Sequence, residues 1–527
     1  MPDKRLSALS PAVLRSLTRG IEKESLRVES DGILAETPHP VGLGSPLTHP
    51  HITTDFSEAQ LELITDTHES INACLSELTS IHQVVYRNID DELLWCGSMP
   101  CRLPEDDQIP IGQYGASNIG RAKTVYRQGL AHRYGKRMQT ISGIHYNFSL
   151  PDAAWPALQK IDAYDGDLQD YRDHAYFALI RNFRRHAWLL LYLYGASPAV
   201  CSCFVEGRVH RLQALEAGTY YLPFATSLRM GPLGYQSDAQ SSIAVSYNNL
   251  HSYARSLLTA LTKPYPPYAA IGIRDGDEYH QLSTSLLQIE NEFYGTIRPK
   301  RRIKPSERPL HALKDRGVEY VEVRCVDLNP FSPIGITEDT SRFLDVFLLH
   351  CLLKDSPDDS TDEIVANARN QHGVAERGRD PSLRLIRGVD YPGVAEWGTE
   401  IVRECETIAA ALDKANGTKA YSQAVQNAAR ALRDPAGTLS AQMLSEMREE
   451  HSNSYFGFVM ARSQQYRQQL LGQPLSDLLT ARFARMATDS ITKQRETEAA
   501  DTMPFEIFRR QYISQDMTGA ILARRQG

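Results

Sequence analysis

The segment Gly20-Ile21-Glu22-Lys23-Glu24-Ser25-Leu26-Arg27-Val28 constrains this chain more than any other. Read as a β-strand, its two-residue period puts Glu22 and Glu24 on one face. Two carboxylates about 7 Å apart on one face repel each other, which opposes folding unless a cation sits between them. Metal–phosphate chemistry uses such pairs of hard oxygen ligands on a rigid element. Standing alone, the pair equally describes a solvent-facing edge strand with ordinary charges. The decision rests on whether acidic residues further along repeat the arrangement.

Several do. The run from Ile52 to Thr65 is ambiguous: a helix aligns Asp55, Glu58 and Glu62, whereas a strand from Gln60 sends Gln60, Glu62 and Ile64 to one side. Gln139 to Leu150 reads as a strand with Ile144, Tyr146 and Phe148 toward the core. Its other face carries Gly143, His145 and Asn147, with Gln139 and Ile141, as in a sheet with one side toward a cavity. A single such histidine is ordinarily a hydrogen-bonded surface residue; inside a carboxylate cluster it becomes a metal ligand. Leu286 to Tyr294 alternates with Gln288, Glu290, Glu292 and Tyr294 on one face. Arg298, Lys300, Arg301, Arg302 and Lys304 follow at once, a pattern for polyphosphate contact or for a solvated loop. Gly317 to Pro330 reads as a strand in which Tyr320, Glu322, Arg324 and Val326 share a face. Glu322 and Arg324 then project together, as a metal ligand and a phosphate clamp or as a cross-strand salt-bridge set.

The rest of the chain frames that sheet. Residues 68–90 carry an amphipathic helical pattern, and long helices are expected near 164–195 and 240–262. Between these lies a Gly/Pro-rich loop with Arg229 and Tyr235, where an arginine faces solvent or clamps an anion. Residues 113–135 begin as a Gly-containing loop and continue as a basic helix with Arg121, Lys123, Arg127 and Arg133, read as a solvated face. From Thr337 onward the pattern is mainly helical and carries no chemical constellation. The expected fold class is α+β: an antiparallel sheet with helices outside and a mainly helical C-terminal third. Residues 1–336 form the catalytic core and 337–527 pack on it as one continuous unit.

Bulk properties narrow the functions. A net charge of −7 with pI near 6.2 argues against a nucleic-acid binder working by charge. The uncharged run from Ala187 to Val205 is broken by Gly195-Ala196-Ser197-Pro198, so a buried helix ending in a turn is expected rather than a membrane span. No apolar signal core follows Met1-Pro2-Asp3-Lys4-Arg5, which points to the cytoplasm. Eight cysteines occur without a CxxC pair and read as reduced thiols. Cys201 and Cys203, flanking one serine, hint weakly at metal or redox chemistry and fit a buried strand better.

Five motifs in order carry a resemblance: Gly20 to Arg27, Thr53-Thr54-Asp55-Phe56-Ser57-Glu58, Ile141 to Ser149, Ile297-Arg298-Pro299-Lys300-Arg301 and Tyr320 to Arg324. Together the chain resembles the proteobacterial glutamate–cysteine ligases, also called γ-glutamylcysteine synthetases, from about residue 10 to the Ala500–Phe505 segment. The resemblance implies a glutamine-synthetase-like curved antiparallel sheet. It implies that ATP, L-glutamate and L-cysteine give γ-glutamylcysteine, ADP and phosphate through γ-glutamyl phosphate, the first step of glutathione synthesis. It implies Mg²⁺, with Mn²⁺ as substitute, held by Glu22, Glu24, Asp55, Glu62, His145 and Glu322. Arg324 and Arg229 match phosphate-facing arginines, Tyr235 and Tyr294 the tyrosines of the cysteine site, and Gln139 and Asn147 glutamate contacts. It further implies a single-activity monomer inhibited by glutathione, with no nucleic-acid or membrane partner. Another ATP-dependent carboxylate–amine ligase and a metal-dependent phosphohydrolase are the competing readings.

Overall fold

A computed structural model of the chain describes residues 2–216, 218–234, 245–304 and 307–514. Tyr235 lies outside the described residues. The central element is a seven-stranded antiparallel sheet built from β1 (Thr18–Val28), β2 (Ile52–Thr54), β3 (Gln60–Ile64), β4 (Leu93–Leu94), β5 (Gly143–Ser149), β6 (Ile297–Lys300) and β7 (Tyr320–Asp327). The order is β6-β7-β5-β1-β3-β2, with β4 beside β1. The ambiguous acidic run thus resolves into β2 and β3, and Glu62 stands on a strand.

One face of this sheet is apolar. Ile21, Leu61, Leu63, Ile144, Tyr146, Phe148, Val321 and Val323 are all buried in the main core. They pack with α1 (Ile71–Tyr86), α4 (Leu168–Tyr194) and α5 (Glu338–Leu353), whose buried residues include Leu78, Phe183 and Phe347. The helices start where side chains cap them: Ser70 accepts the Ala73 N–H at α1, and Asp167 accepts the Asp170 N–H at α4. The apolar run from Ala187 ends with α4 at Tyr194, and Ala196 then donates its N–H to Asp327. Among the described residues no helix is long and apolar enough to cross a membrane.

The structure corrects four local expectations. Glu290–Glu292 is a 3₁₀ turn, because the Glu292 carboxylate accepts the Gln288 N–H at 2.6 Å and bends the backbone on itself. Its acids face Arg308 (2.6 Å from Glu290) and Arg133 (2.8 Å from Glu292), so they do not join the acidic face of the sheet. Of the second long helix, expected over 240–262, positions 240–244 lie outside the described residues, 245–249 are not helical, and Leu250–Thr262 is the helix, with Asn249 and Ser252 forming a reciprocal cap. Gln139 ends a short helix, α3 (Lys136–Gln139), instead of sitting on β5. Finally, the basic helix α2 (Asn118–Tyr134) is solvated only in part: Arg121 is exposed, whereas the Arg133 side chain is fully buried and Arg127 stacks over Tyr114 at 4.4 Å.

Strand β7 carries one further correction. Its pairing to β5 shifts between Val323 and Val326, so three steps along β7 match two along β5. That extra residue at Arg324–Cys325 is a bulge, and it turns Val326 into the core together with Cys325. Arg324 stays on the polar face with Glu322.

Candidate active site

The pairing registers bring the acids together. Across β1 and β3 Glu24 faces Glu62; across β1 and β5 Glu22 faces His145; across β5 and β7 Asn147 faces Glu322. Four neighbouring strands therefore present Glu62, Glu24, Glu22, His145 and Glu322 on the face opposite the core. Carboxylate oxygens of Glu22 and Glu62 and a ring nitrogen of His145 all lie within 4.8 Å of one another. His145 stands between the two β1 carboxylates, with Nδ1 3.3 Å from Glu22 and Nε2 3.4 Å from Glu24. The turn after β2 supplies Asp55, which lines the same cavity of about 270 Å³.

Five carboxylates and five Lys or Arg side chains line this cavity, and the two signs are unevenly placed. Burial raises the Glu62 carboxyl well above the usual range, and Glu22, Asp55, Glu24 and Glu322 add to the rise. Burial also leaves Glu24 raised, against the pull of His145. Glu322 ends well below the usual range, because Lys300 at 3.0 Å and Arg324 at 3.1 Å outweigh its burial. Glu22 is likewise lowered: burial and Glu322 push it up, but the His145 hydrogen bond and Lys300 prevail. The raised carboxyls thus stand on β1 and β3, while β6 and β7 carry Arg298, Lys300 and Arg324 and α2 adds Lys123 and Arg127. The donor set is mostly hard oxygen with one imidazole, and Asn147 adds a buried Oδ1 that has no hydrogen-bond partner. Such a set fits a divalent cation of the Mg²⁺ or Mn²⁺ kind.

The remaining candidate residues fall into two groups. Tyr294 and Gln139 line the cavity and bond to each other, the Gln139 amide donating to the Tyr294 hydroxyl at 2.9 Å. Asn147 donates to Glu22 at 2.9 Å and faces a second cavity of about 350 Å³, which shares Glu22 with the first. Arg229 lies one layer back. It is buried 3.5 Å from Asp327, and it donates to the Arg324 carbonyl at 3.0 Å. A Cβ at position 143 would collide with its guanidinium, so Gly143 makes room for it. Arg229 therefore braces Arg324 and does not line the cavity.

Sequence reasoning missed Tyr126, read Lys123 and Arg127 as a solvated face, and left Arg298 and Lys300 between polyphosphate contact and a solvated loop, although all five line the cavity. The signal was present for α2, where Lys123, Tyr126 and Arg127 fall on one helical face at spacings of three and four.

Arg324→Lys tests the clamp. Lysine cannot reproduce a planar fork, so turnover is expected to fall by about 10²-fold with the melting temperature unchanged. Steady-state kinetics and a thermal melt check this; a variant that unfolds early while keeping its specific activity makes Arg324 structural.

The family whose model matches residues 5–374 is described as glutamate–cysteine ligase. Glutamate–cysteine ligases from Alcanivorax borkumensis, Saccharophagus degradans and Pseudomonas aeruginosa are 46%, 48% and 47% identical to the chain. Those alignments cover 96%, 95% and 96% of this chain and 98%, 95% and 96% of the relatives. A crystal structure of the Francisella tularensis glutamate–cysteine ligase in complex with AMP superposes with a TM-score of 0.90 at 36% identity, covering 96% of this chain and 99% of that one. A bifunctional glutathione synthetase from Pasteurella multocida gives a TM-score of 0.69 at 27% identity, over 89% of this chain and 54% of that longer one. A carboxylate-lined sheet with a cation-bearing edge, reached from the residues alone, meets here a likeness spanning nearly the whole sequence: the chain belongs to the glutamate–cysteine ligase family.

Proposed function

We propose that the cavity on the polar face of the sheet is where γ-glutamylcysteine is made by phosphoryl transfer followed by amide formation. The chain joins the γ-carboxylate of L-glutamate to the amine of L-cysteine with ATP as co-substrate. In the first step a γ-carboxylate oxygen attacks the γ-phosphorus of ATP, and ADP leaves. In the second, the cysteine amine attacks the acyl carbon of γ-glutamyl phosphate, and phosphate leaves as the amide bond forms. Activation is needed because a free carboxylate is a poor electrophile, whereas phosphate is a good leaving group.

The chain's own residues divide these tasks. Arg324, Lys300 and Arg298 face the transferring phosphoryl group and stabilise the charge on its oxygens, with Arg229 bracing Arg324 from behind. Tyr294, Gln139 and Tyr126, with Tyr235 from the loop, hold cysteine; Asn147 and Gln139 orient glutamate. Glu22, Glu24, Asp55, Glu62, His145 and Glu322 would hold Mg²⁺ or Mn²⁺. When bound, the cation neutralises phosphate oxygens that the carboxylates alone would repel. AMP is the ligand named for the Francisella relative, and we carry the adenine nucleotide over to the second cavity, with its phosphates reaching the first at their shared residue, Glu22. The sheet is proposed to be of the glutamine-synthetase type, the protein a monomer of the cytoplasm.

The register that aligns Glu62, Glu24, Glu22, His145 and Glu322 over four strands carries this reading. It is tested with purified protein, ATP, Mg²⁺, L-glutamate and L-cysteine, following ADP and γ-glutamylcysteine together. Equal amounts of both, dependent on cysteine, are expected. ADP release without dipeptide would make the protein a phosphohydrolase, and faster amide formation with another amine would change the acceptor.

A further inference from the structure

A separate cavity of about 530 Å³ lies in the helical layer and shares no residue with the catalytic one. Its size is that of a small-molecule site. Helix α4 encloses it with α6 (Thr361–Arg377), α7 (Val394–Asn416) and parts of the loops on either side of α6. Trp397, Glu400, Ile401 and Glu404 fall on one face of α7 at spacings of three and four, so two carboxylates flank an apolar floor. Beside the floor stands His186 of α4, 6% exposed, its ring at right angles to Trp397 with centroids 6.0 Å apart. Nδ1 of His186 is wholly buried without a partner, and among the described residues Nε2 accepts or donates no hydrogen bond either. Burial, then His350 and Lys354, hold this imidazole well below the ordinary histidine value, so it is neutral and offers one donor and one acceptor. A buried ring unsatisfied on both nitrogens points to a partner that the chain does not supply.

Charge surrounds the floor in three pairs: Arg185–Glu363 at 2.6 Å, Lys354–Glu404 at 2.5 Å and Arg387–Glu400 at 2.6 Å. The last two pairs are roughly a third to a half exposed, and pairs so exposed are weak enough to exchange partners with a ligand. Arg387 also lies over the Trp397 ring at 5.4 Å, so one guanidinium borders both the apolar floor and the charged rim.

We propose that this cavity binds a small zwitterion with a large apolar side chain, of the class of free α-amino acids, apart from the amino-acid subsites of the catalytic cavity. The ligand's carboxylate meets Arg387, its ammonium meets Glu400 or Glu404, and its side chain covers Trp397 and Ile401 beside His186. Both charges are needed because acid and base alternate around the floor. A lone anion would face Glu400 and Glu404, and a lone cation would face Lys354 and Arg387. A wholly apolar ligand would strip water from these groups and return no hydrogen bond.

The test uses the full chain with its catalytic cavity filled by L-glutamate, L-cysteine, Mg²⁺ and a non-hydrolysable ATP analogue. Isothermal titration calorimetry with L-phenylalanine is expected to show saturable binding at one site per chain. 3-Phenylpropionate, which lacks the ammonium, and phenethylamine, which lacks the carboxylate, are each expected to bind at least about tenfold more weakly, the scale of one charge-assisted hydrogen bond. Arg387→Gln and Glu400→Gln are expected to weaken L-phenylalanine by a similar factor while the ligase rate stays unchanged. His186→Leu is expected to weaken it too; should that variant not fold, the two substitutions at the part-exposed rim carry the test. No saturable binding, a one-charge analogue that binds as tightly as L-phenylalanine, or wild-type affinity in both rim variants overturns the proposal.

Discussion

Glu322→Ala and Glu22→Ala are each expected to leave a folded protein whose turnover is lower by about 10³-fold or more. Glu322 pairs with Lys300 and Arg324 at the same time, at 3.0 and 3.1 Å. Removing its carboxylate deletes a proposed cation ligand and leaves two positive groups facing each other, so the local field changes sign. Glu22 stands at the meeting point of the two cavities and bonds to both His145 and Asn147. The fold should tolerate either change, because the neighbours that pack the core, Ile21, Val321 and Val323, point to the opposite face. Rates across a Mg²⁺ titration, with circular dichroism as the control for folding, separate the roles. A lost cation ligand raises the Mg²⁺ concentration needed for half the maximal rate. Wild-type turnover at saturating Mg²⁺ in either variant would take that residue out of the site.

How far the sequence reaches depends on the element. Period-two alternation at 20–28, 143–149 and 320–327 identified three strands and the face each turns to the cavity, because one face must be apolar where a core covers it. The same alternation misled at 286–294. There Glu290 and Glu292 are buried with Arg308 and Arg133, partners 18 and 159 residues away in sequence that no local pattern reveals. The bulge in β7 was invisible for a related reason: an extra residue shows only as a shift against β5. Arg229 read as a loop arginine available to an anion, yet Asp327, nearly a hundred positions further on, takes it into the interior. Local periodicity thus located the carboxylates; the counter-ions, which decide whether a charge faces a ligand or the core, came from tertiary contacts.

Asp345→Ala should cost the fold about 3–5 kcal/mol, the scale for stripping one partner from a buried ion pair. Asp345 lies on α5, fully buried, 2.9 Å from the Arg19 guanidinium of β1, and it accepts the Tyr146 hydroxyl of β5 at 2.8 Å. Burial raises its carboxyl and Arg19 opposes the rise, so charge on this aspartate depends on its partner. The contrast with Arg342–Glu338 on the same helix sets the scale. That pair is closer, at 2.6 Å, but its glutamate is 48% exposed, and such exposed i,i+4 pairs contribute only about 0.3–0.5 kcal/mol. Without Asp345 the Arg19 charge stays buried, and Tyr146 keeps only the Ser341 carbonyl at 3.3 Å. Replacing both charges, as Arg19→Met with Asp345→Leu, is expected to recover most of the loss, since apolar groups need no counter-charge. Urea midpoints for the wild type, the single variant and the double variant decide it. A single variant within about 1 kcal/mol of the wild type would mean that the helical layer is held to the sheet by its apolar contacts alone.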